Sequence, residues 1–313
     1  MDIGFYTKFD YRWGYGKNVV GDILYAETMC RELNKNNHAA IFSPEYKPTR
    51  PLDVMIYIND TPPYKSFAKR HILYLQNAYQ EGSDIVLNQL RKAEYDGYAL
   101  ISNVLLKEHK SEGFDGIYLP FGVNTSAFNP GIKEQRFQHE VSYIGNNIKG
   151  EARTKKYLLP ACDFDFGLYG NWNHGIRERL FGNIPEYRKA LARCCKGYID
   201  QEDVPSLYRS SKININVTHE DNLRWGVITS RVWEVLACRG FLITDTNANT
   251  ETLLVGKAIQ TSGGSDLTEK IQRYLLDEKA RERIADAGYN HVVKNETIAQ
   301  RMEELTHYLE SVC

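Results

Sequence analysis

Short apolar runs bounded by glycine, proline, asparagine or serine alternate with longer stretches of helical period, a pattern that predicts parallel sheets covered by helices. In the first half the runs place strands at 2–7, 39–42, 53–58, 71–75, 98–102 and 116–119. Between the first two, Ile23, Leu24, Ala26, Met29, Cys30 and Leu33 recur near a period of 3.6 and predict a helix over 21–34. Pro120, Gly122 and Pro130 interrupt both periods and mark a linker at 119–130. Strands resume at 140–144, 166–169, 213–217, 241–244 and 258–261, separated by helices such as 204–210 and 231–238. The charged, amphipathic stretch 266–309 reads as two or three helices.

The expected fold class is therefore α/β, with two Rossmann-like domains facing across a cleft. Residues 1–124 form the first and 125–297 the second, and a terminal helix at about 298–313 returns to brace the first. A chain of 313 residues, 42% hydrophobic and 25% charged, has material for two cores. Its 39 basic and 40 acidic residues nearly cancel, so no global field points to nucleic acid or a membrane as partner. The start, Met1-Asp2-Ile3-Gly4-Phe5-Tyr6, has neither a basic nor a long apolar region, and the expected location is cytoplasmic. Six cysteines lack C-x-x-C spacing and read as reduced thiols, with adjacent Cys194 and Cys195 diverging on a helix. The sole D-x-D motif, Asp163-Phe164-Asp165, precedes a strand and reads as solvent-facing, so no metal is expected.

The chemistry concentrates in Thr229-Ser230-Arg231-Val232-Trp233-Glu234-Val235-Leu236-Ala237-Cys238-Arg239-Gly240, followed by an apolar strand. Thr229 or Ser230 can cap the helix start and Gly240 can end it. The unpaired N–H groups of that start suit a diphosphate, Arg231 adds a forked cation, and Glu234 at i+3 can accept ribose hydroxyls. An ordinary αβ unit with a surface Arg–Glu pair fits the same spacing.

This segment, continuing through Phe241-Leu242-Ile243-Thr244-Asp245, resembles the R-V-x-E-x-x-A-C-G-G-F-x-x-x-D signature of CgeB-like (spore maturation protein type) glycosyltransferases, which have the GT-B fold. Tyr143-Ile144-Gly145-Asn146 is similar to the strand and glycine that open that family's donor domain, and 119–130 is similar to the crossing between GT-B domains. The resemblance covers nearly the whole second half. It implies that Glu234 binds the ribose of a nucleotide sugar, UDP- or GDP-linked, while Thr229, Ser230 and Arg231 at the helix start bind its diphosphate. Two positions depart from the pattern: Arg239 stands for a glycine, adding a cation near the donor or pointing into solvent, and Gly226 stands where retaining GT-B enzymes often carry a second glutamate.

Other donor-side candidates sit at strand ends, where open α/β sheets collect ligands. Gly145 and Asn146 follow one strand, Lys149 and Arg153 can steady the leaving diphosphate, Gly170 and Asn171 follow the next strand, Tyr198 is placed near the base, and His219 near the sugar. In the first half, Gly14, Tyr15, Gly16 and Lys17 form an acceptor or phosphate loop that fails as a dinucleotide fingerprint because Val19 stands where G-x-G-x-x-G needs a small residue. Asp10 and Asp60 are the candidates for catalytic base, and the fourth strand ends in neutral Leu75-Gln76-Asn77. The expected protein is a metal-independent hexosyl- or pentosyltransferase without a cofactor, acting on a hydroxyl of a glycan, small molecule, protein or hydroxylated DNA base. A non-catalytic nucleotide-binding protein and a nucleotide-sugar epimerase on the same fold are the rivals.

Overall fold

Among residues 1–8, 21–59, 61–77, 87–88, 91–172, 182 and 184–312, which the computed structural model describes, the strands form two six-stranded sheets with parallel pairing. The first sheet contains β1 (Asp2–Tyr6), β2 (His38–Phe42), β3 (Leu52–Ile58), β4 (Ala68–Leu75), β5 (Gly97–Leu100) and β6 (Ile117–Tyr118), in the order β2-β1-β3-β4-β5-β6. Its central strands are buried on both faces, which is why Val54 to Ile58 is an unbroken apolar run with no residue more than 2% exposed.

One face of this sheet, carrying Ile3, Phe5, Ile56 and Ile72, is covered by Tyr25, Ala26 and Met29 of the helix Gly21–Leu33 and by Met302, Leu305 and Leu309 of the last helix, Ile298–Val312. The other face gathers Tyr6, Met55, Tyr57, Leu73, Leu75 and Leu100 around Trp225 and Val227. The Ser102 hydroxyl donates to the Trp225 carbonyl at 2.9 Å and fixes that short segment on the sheet. The compact unit so formed comprises Met1–Gly122, Arg224–Val227 and Thr297–Cys313, and the second unit comprises Val123–Leu223 and Ile228–Glu296.

The second sheet contains β7 (Val141–Ile144), β8 (Phe166–Tyr169), β9 (Cys195–Gly197), β10 (Ile213–Asn216), β11 (Leu242–Asp245) and β12 (Ile259–Thr261), ordered β12-β11-β10-β7-β8-β9. The alternation in Ile213-Asn214-Ile215-Asn216 sends both isoleucines into the main core, with Val141, Tyr143 and Leu168, and both asparagines to the opposite face. There Asn214 donates to the carbonyls of Tyr208 and Phe241 and accepts from the Ser142 hydroxyl at 2.9 Å, so a buried amide in mid-sheet is paired.

β9 is absent from the periodicity reading. It has three residues, two of them Lys196 and Gly197, and exists because edge pairing with β8 recruits it. Its presence also corrects the placement of the cysteine pair: Cys194 ends the helix Glu186–Cys194 and Cys195 opens β9. The stretch 266–309 resolves into helices Ser265–Leu276, Glu278–Asn295 and the start of Ile298–Val312. Among the described residues no helix is long and apolar enough to cross a membrane.

Candidate functional site

The carboxyl ends of β7, β8, β10 and β11 bring together most of the candidates of the second unit. β7 runs out into Gly145, whose N–H donates to the Tyr169 carbonyl at 3.0 Å, and β8 runs out into Gly170 with φ of 125°. A side chain at Gly170 would collide with the Gly145 carbonyl, so only glycine lets these strand ends close on each other. The turn is then tied by Trp172, whose indole N–H donates to the Gly145 carbonyl at 2.6 Å, and by the Asn171 N–H donating to Asn146 Oδ1 at 3.0 Å.

β10 delivers Asn216 to the same edge, fully buried. Its amide nitrogen donates to the hydroxyls of Thr218 and Thr244 at 3.2 and 3.0 Å. Its oxygen accepts from Thr229 at 3.3 Å and from the Arg231 guanidinium at 3.1 Å. Thr229 occupies the N-cap position of the helix Ser230–Ala237 by backbone geometry, but its hydroxyl is turned to Asn216 and makes no cap bond. The expected side-chain cap is missing for that reason; in the first turn the Val232 N–H donates to the Thr229 carbonyl at 3.0 Å, and no side chain caps the start. Arg231 lies 5.3 Å from the centre of the Tyr143 ring, and the Tyr143 hydroxyl is buried with no hydrogen-bond partner among the described residues.

β11 ends in Asp245, which accepts from the Thr218 N–H and hydroxyl, each at 2.8 Å, and pairs with Arg153 from the helix Glu151–Tyr157. Arg153 also donates to the Thr218 carbonyl at 3.0 Å. Burial pushes the Asp245 carboxyl up, and Arg153 and Thr218 pull it back. Lys149, half-buried, is pushed down to about 7, first by burial and then by Arg231 and Arg153, with Asp245 acting against them. Three cations thus gather at this edge with two carboxylates, Asp245, committed to Arg153, and Glu234, beside Arg231.

Glu234 follows one turn along the helix and accepts from the Tyr208 hydroxyl at 3.5 Å. Burial raises its carboxyl, while Arg231, Ser230 and Tyr208 oppose the rise. At the far end, the Gly240 N–H donates to the Val235 carbonyl at 2.9 Å and the Arg239 N–H to Leu236 at 3.0 Å, the two bonds of a Schellman ending. The left-handed residue of that ending is Arg239, with φ of 53°, not Gly240. Gly240 is required for space, since a Cβ there would lie 2.7 Å from the Tyr208 carbonyl. The Arg239 side chain pairs with Asp286, its Nε at 2.8 Å, lies over Tyr289 and stays partly exposed to solvent.

Other candidates stand apart. Tyr198 follows β9 at the sheet margin and is 48% exposed, and His219 faces Asp221 at 3.5 Å. Asp163 and Asp165 are exposed. Asp10, Gly14, Tyr15, Gly16, Lys17 and Asp60 lie outside the described residues. A groove of 860 Å³ opens at the amino ends of the same strands, lined by residues such as Glu140, Asp165, Lys212 and Phe241, and includes none of the converging cations. Asn216 and Thr218 are not among the sequence candidates, and Asp245 enters only as the last residue of the signature; the signal for Asn216 is the polar phase of the Ile-Asn-Ile-Asn strand.

Residues 157–307 match the family described as glycosyl transferase-like. No match is found among curated proteins. Solved structures with the same fold include sucrose-phosphate synthase from Thermosynechococcus elongatus, 13% identical with a TM-score of 0.72 over 100% of both chains. HepE of Anabaena, solved with UDP and glucose, is 10% identical with a TM-score of 0.71 over 99% of this chain and 100% of its own. T4 phage BGT, solved with its UDP-glucose substrate, is 12% identical with a TM-score of 0.65 over 99% of each chain. With two parallel six-stranded sheets, the chain has the GT-B fold of these glycosyltransferase structures, and its second half is similar to the glycosyl transferase-like family.

Proposed function

We propose that the carboxyl edge of the second sheet binds a nucleoside diphosphate sugar, UDP- or GDP-linked, and that the protein transfers the sugar to an acceptor hydroxyl. The observation that carries this reading is the gathering of Lys149, Arg153 and Arg231 at one strand edge, where Asp245 is committed to Arg153 and Glu234 lies beside Arg231. Burial first, and then repulsion from Arg231 and Arg153, depress Lys149, and an anion bound among these cations would relieve the repulsion. The uncapped start of Ser230–Ala237 and the orphaned Tyr143 hydroxyl supply neutral donors to the same anion, and Glu234 accepts from the ribose. UDP and UDP-glucose in HepE and T4 phage BGT agree with this choice of donor. The CgeB-like assignment rests on the Arg231 to Asp245 signature.

As the bond between the anomeric carbon and the phosphate oxygen breaks, its electron pair moves to the diphosphate. Arg231, Lys149 and the helix start stabilise that charge electrostatically. The acceptor oxygen bonds to the anomeric carbon and yields its proton to a base, for which Asp60 and Asp10 are the proposed residues. Side-chain cations do here what a divalent ion would otherwise do, so transfer of a hexosyl or pentosyl group proceeds without metal. Incubation with UDP- and GDP-sugars tests this. The expected result is slow release of the nucleoside diphosphate, unchanged by EDTA. Binding without release would instead mark a nucleotide-binding protein, and an isomerised sugar still attached to its nucleotide would mark an epimerase.

A further inference from the structure

The residues that immediately follow β2, β1, β3 and β4, in sheet order, are Ser43, Thr7, Asn59 and Gln76, all neutral, polar and at most 4% exposed. Three of them are engaged locally. Ser43 accepts from the Tyr46 N–H, and Thr7 donates to the Phe42 carbonyl. Asn59 donates from its amide to Asp22 at 2.7 Å and accepts, through Oδ1, from the N–H groups of Gln76 and Asn77, both at 3.0 Å. It holds this position at φ of 61°, in the left-handed region that asparagine tolerates better than most residues. Its clamp fixes the backbone of Gln76 rigidly.

Gln76 is the exception. It is 2% exposed, and its Nε2 is buried with no hydrogen-bond partner among the described residues. A buried amide left unsatisfied costs about 1 to 3 kcal/mol, a cost that a ligand accepting from it would remove. We propose that the Gln76 side-chain amide donates a hydrogen bond to an uncharged hydroxyl-bearing ligand, such as a sugar ring, and is a specificity-determining residue of the first unit. Among the described residues of the rim, Ser43, Thr7 and Asn59 are neutral, and a neutral amide donor beside them suits a hydroxyl oxygen. This inference rests on the transferase reading, since it assigns the hydroxyl partner of that reaction to the first unit.

The experiment uses the full chain labelled with ¹⁵N-glutamine, with the Gln76 side-chain resonance assigned by its loss in Gln76→Leu. Methyl β-glucoside, inorganic phosphate and acetate are titrated separately. The expected result is a saturable shift of the Gln76 amide with methyl β-glucoside and none with either anion. Gln76→Leu is expected to melt at or above the wild-type temperature, because it removes an unsatisfied group, and to lose at least fivefold in saturable glucoside affinity with UDP affinity unchanged. A Gln76 resonance unmoved by the glucoside, or moved equally by phosphate, overturns the proposal, as does a large fall in melting temperature on Gln76→Leu. Failure of the wild-type protein to bind any nucleotide would instead overturn the transferase reading, so the two failures are separable.

Discussion

The Arg231 guanidinium donates to Asn216 Oδ1 at 3.1 Å, and the same oxygen accepts from the Thr229 hydroxyl at 3.3 Å. One buried amide therefore aims the cation and draws the cap residue away from its helix. Asn216→Ala is expected to destabilise the protein by about 1 to 3 kcal/mol, because the Thr244 hydroxyl and the Arg231 guanidinium lose a buried partner. It should also lower UDP affinity by about tenfold through loss of Arg231 orientation. Chemical denaturation and calorimetry on the same sample check both effects.

Lys149 couples donor binding to protons. Its folded value of about 7 lies below the ordinary 10.5, so the unfolded chain holds the proton over the interval between them. Stability of the free protein should accordingly rise with pH from 7 to 10.5, the direction required when the unfolded state binds more protons. A bound diphosphate restores the charged amine. UDP binding at pH 7 should then take up roughly half a proton, and affinity should fall as pH rises above 7. Calorimetry in buffers of different ionisation enthalpy measures the uptake, and Lys149→Met should abolish it.

Arg239 gives a contrasting case. Its φ of 53° costs a non-glycine residue about 1 to 2 kcal/mol, while its pair with Asp286 is half-exposed and contributes about 0 to 1 kcal/mol. Arg239→Gly should be as stable as the wild type or slightly more so. UDP affinity should not change, since the guanidinium belongs to the helix Glu278–Asn295 side of the unit. A loss of affinity in this variant would place Arg239 in the donor site after all.

These cases show where sequence patterning runs out. β8 was legible as an apolar run and β10 as a strand of alternating isoleucines, whereas β9 owes its existence to a neighbour and left no periodic trace. The helix carrying Arg231 and Glu234 was legible with its charges, since both lie within one element. Asn216, Thr218 and Asp245 acquire their roles only when strand order sets β10 between β7 and β11, with Asn216 opposite Thr244. The Arg239–Asp286 pair spans 47 residues and left no local signal.

The claim that the second unit holds a nucleoside diphosphate is tested most directly by calorimetric titration of UDP into the wild type and Glu234→Ala. The account predicts saturable one-to-one binding to the wild type. In Glu234→Ala, affinity should fall about 10- to 100-fold, matching about 1.5 to 3 kcal/mol for hydrogen bonds to a charged acceptor, with the melting temperature preserved. Equal UDP affinity in the folded variant, or no binding of either UDP or GDP to the wild type, would contradict it.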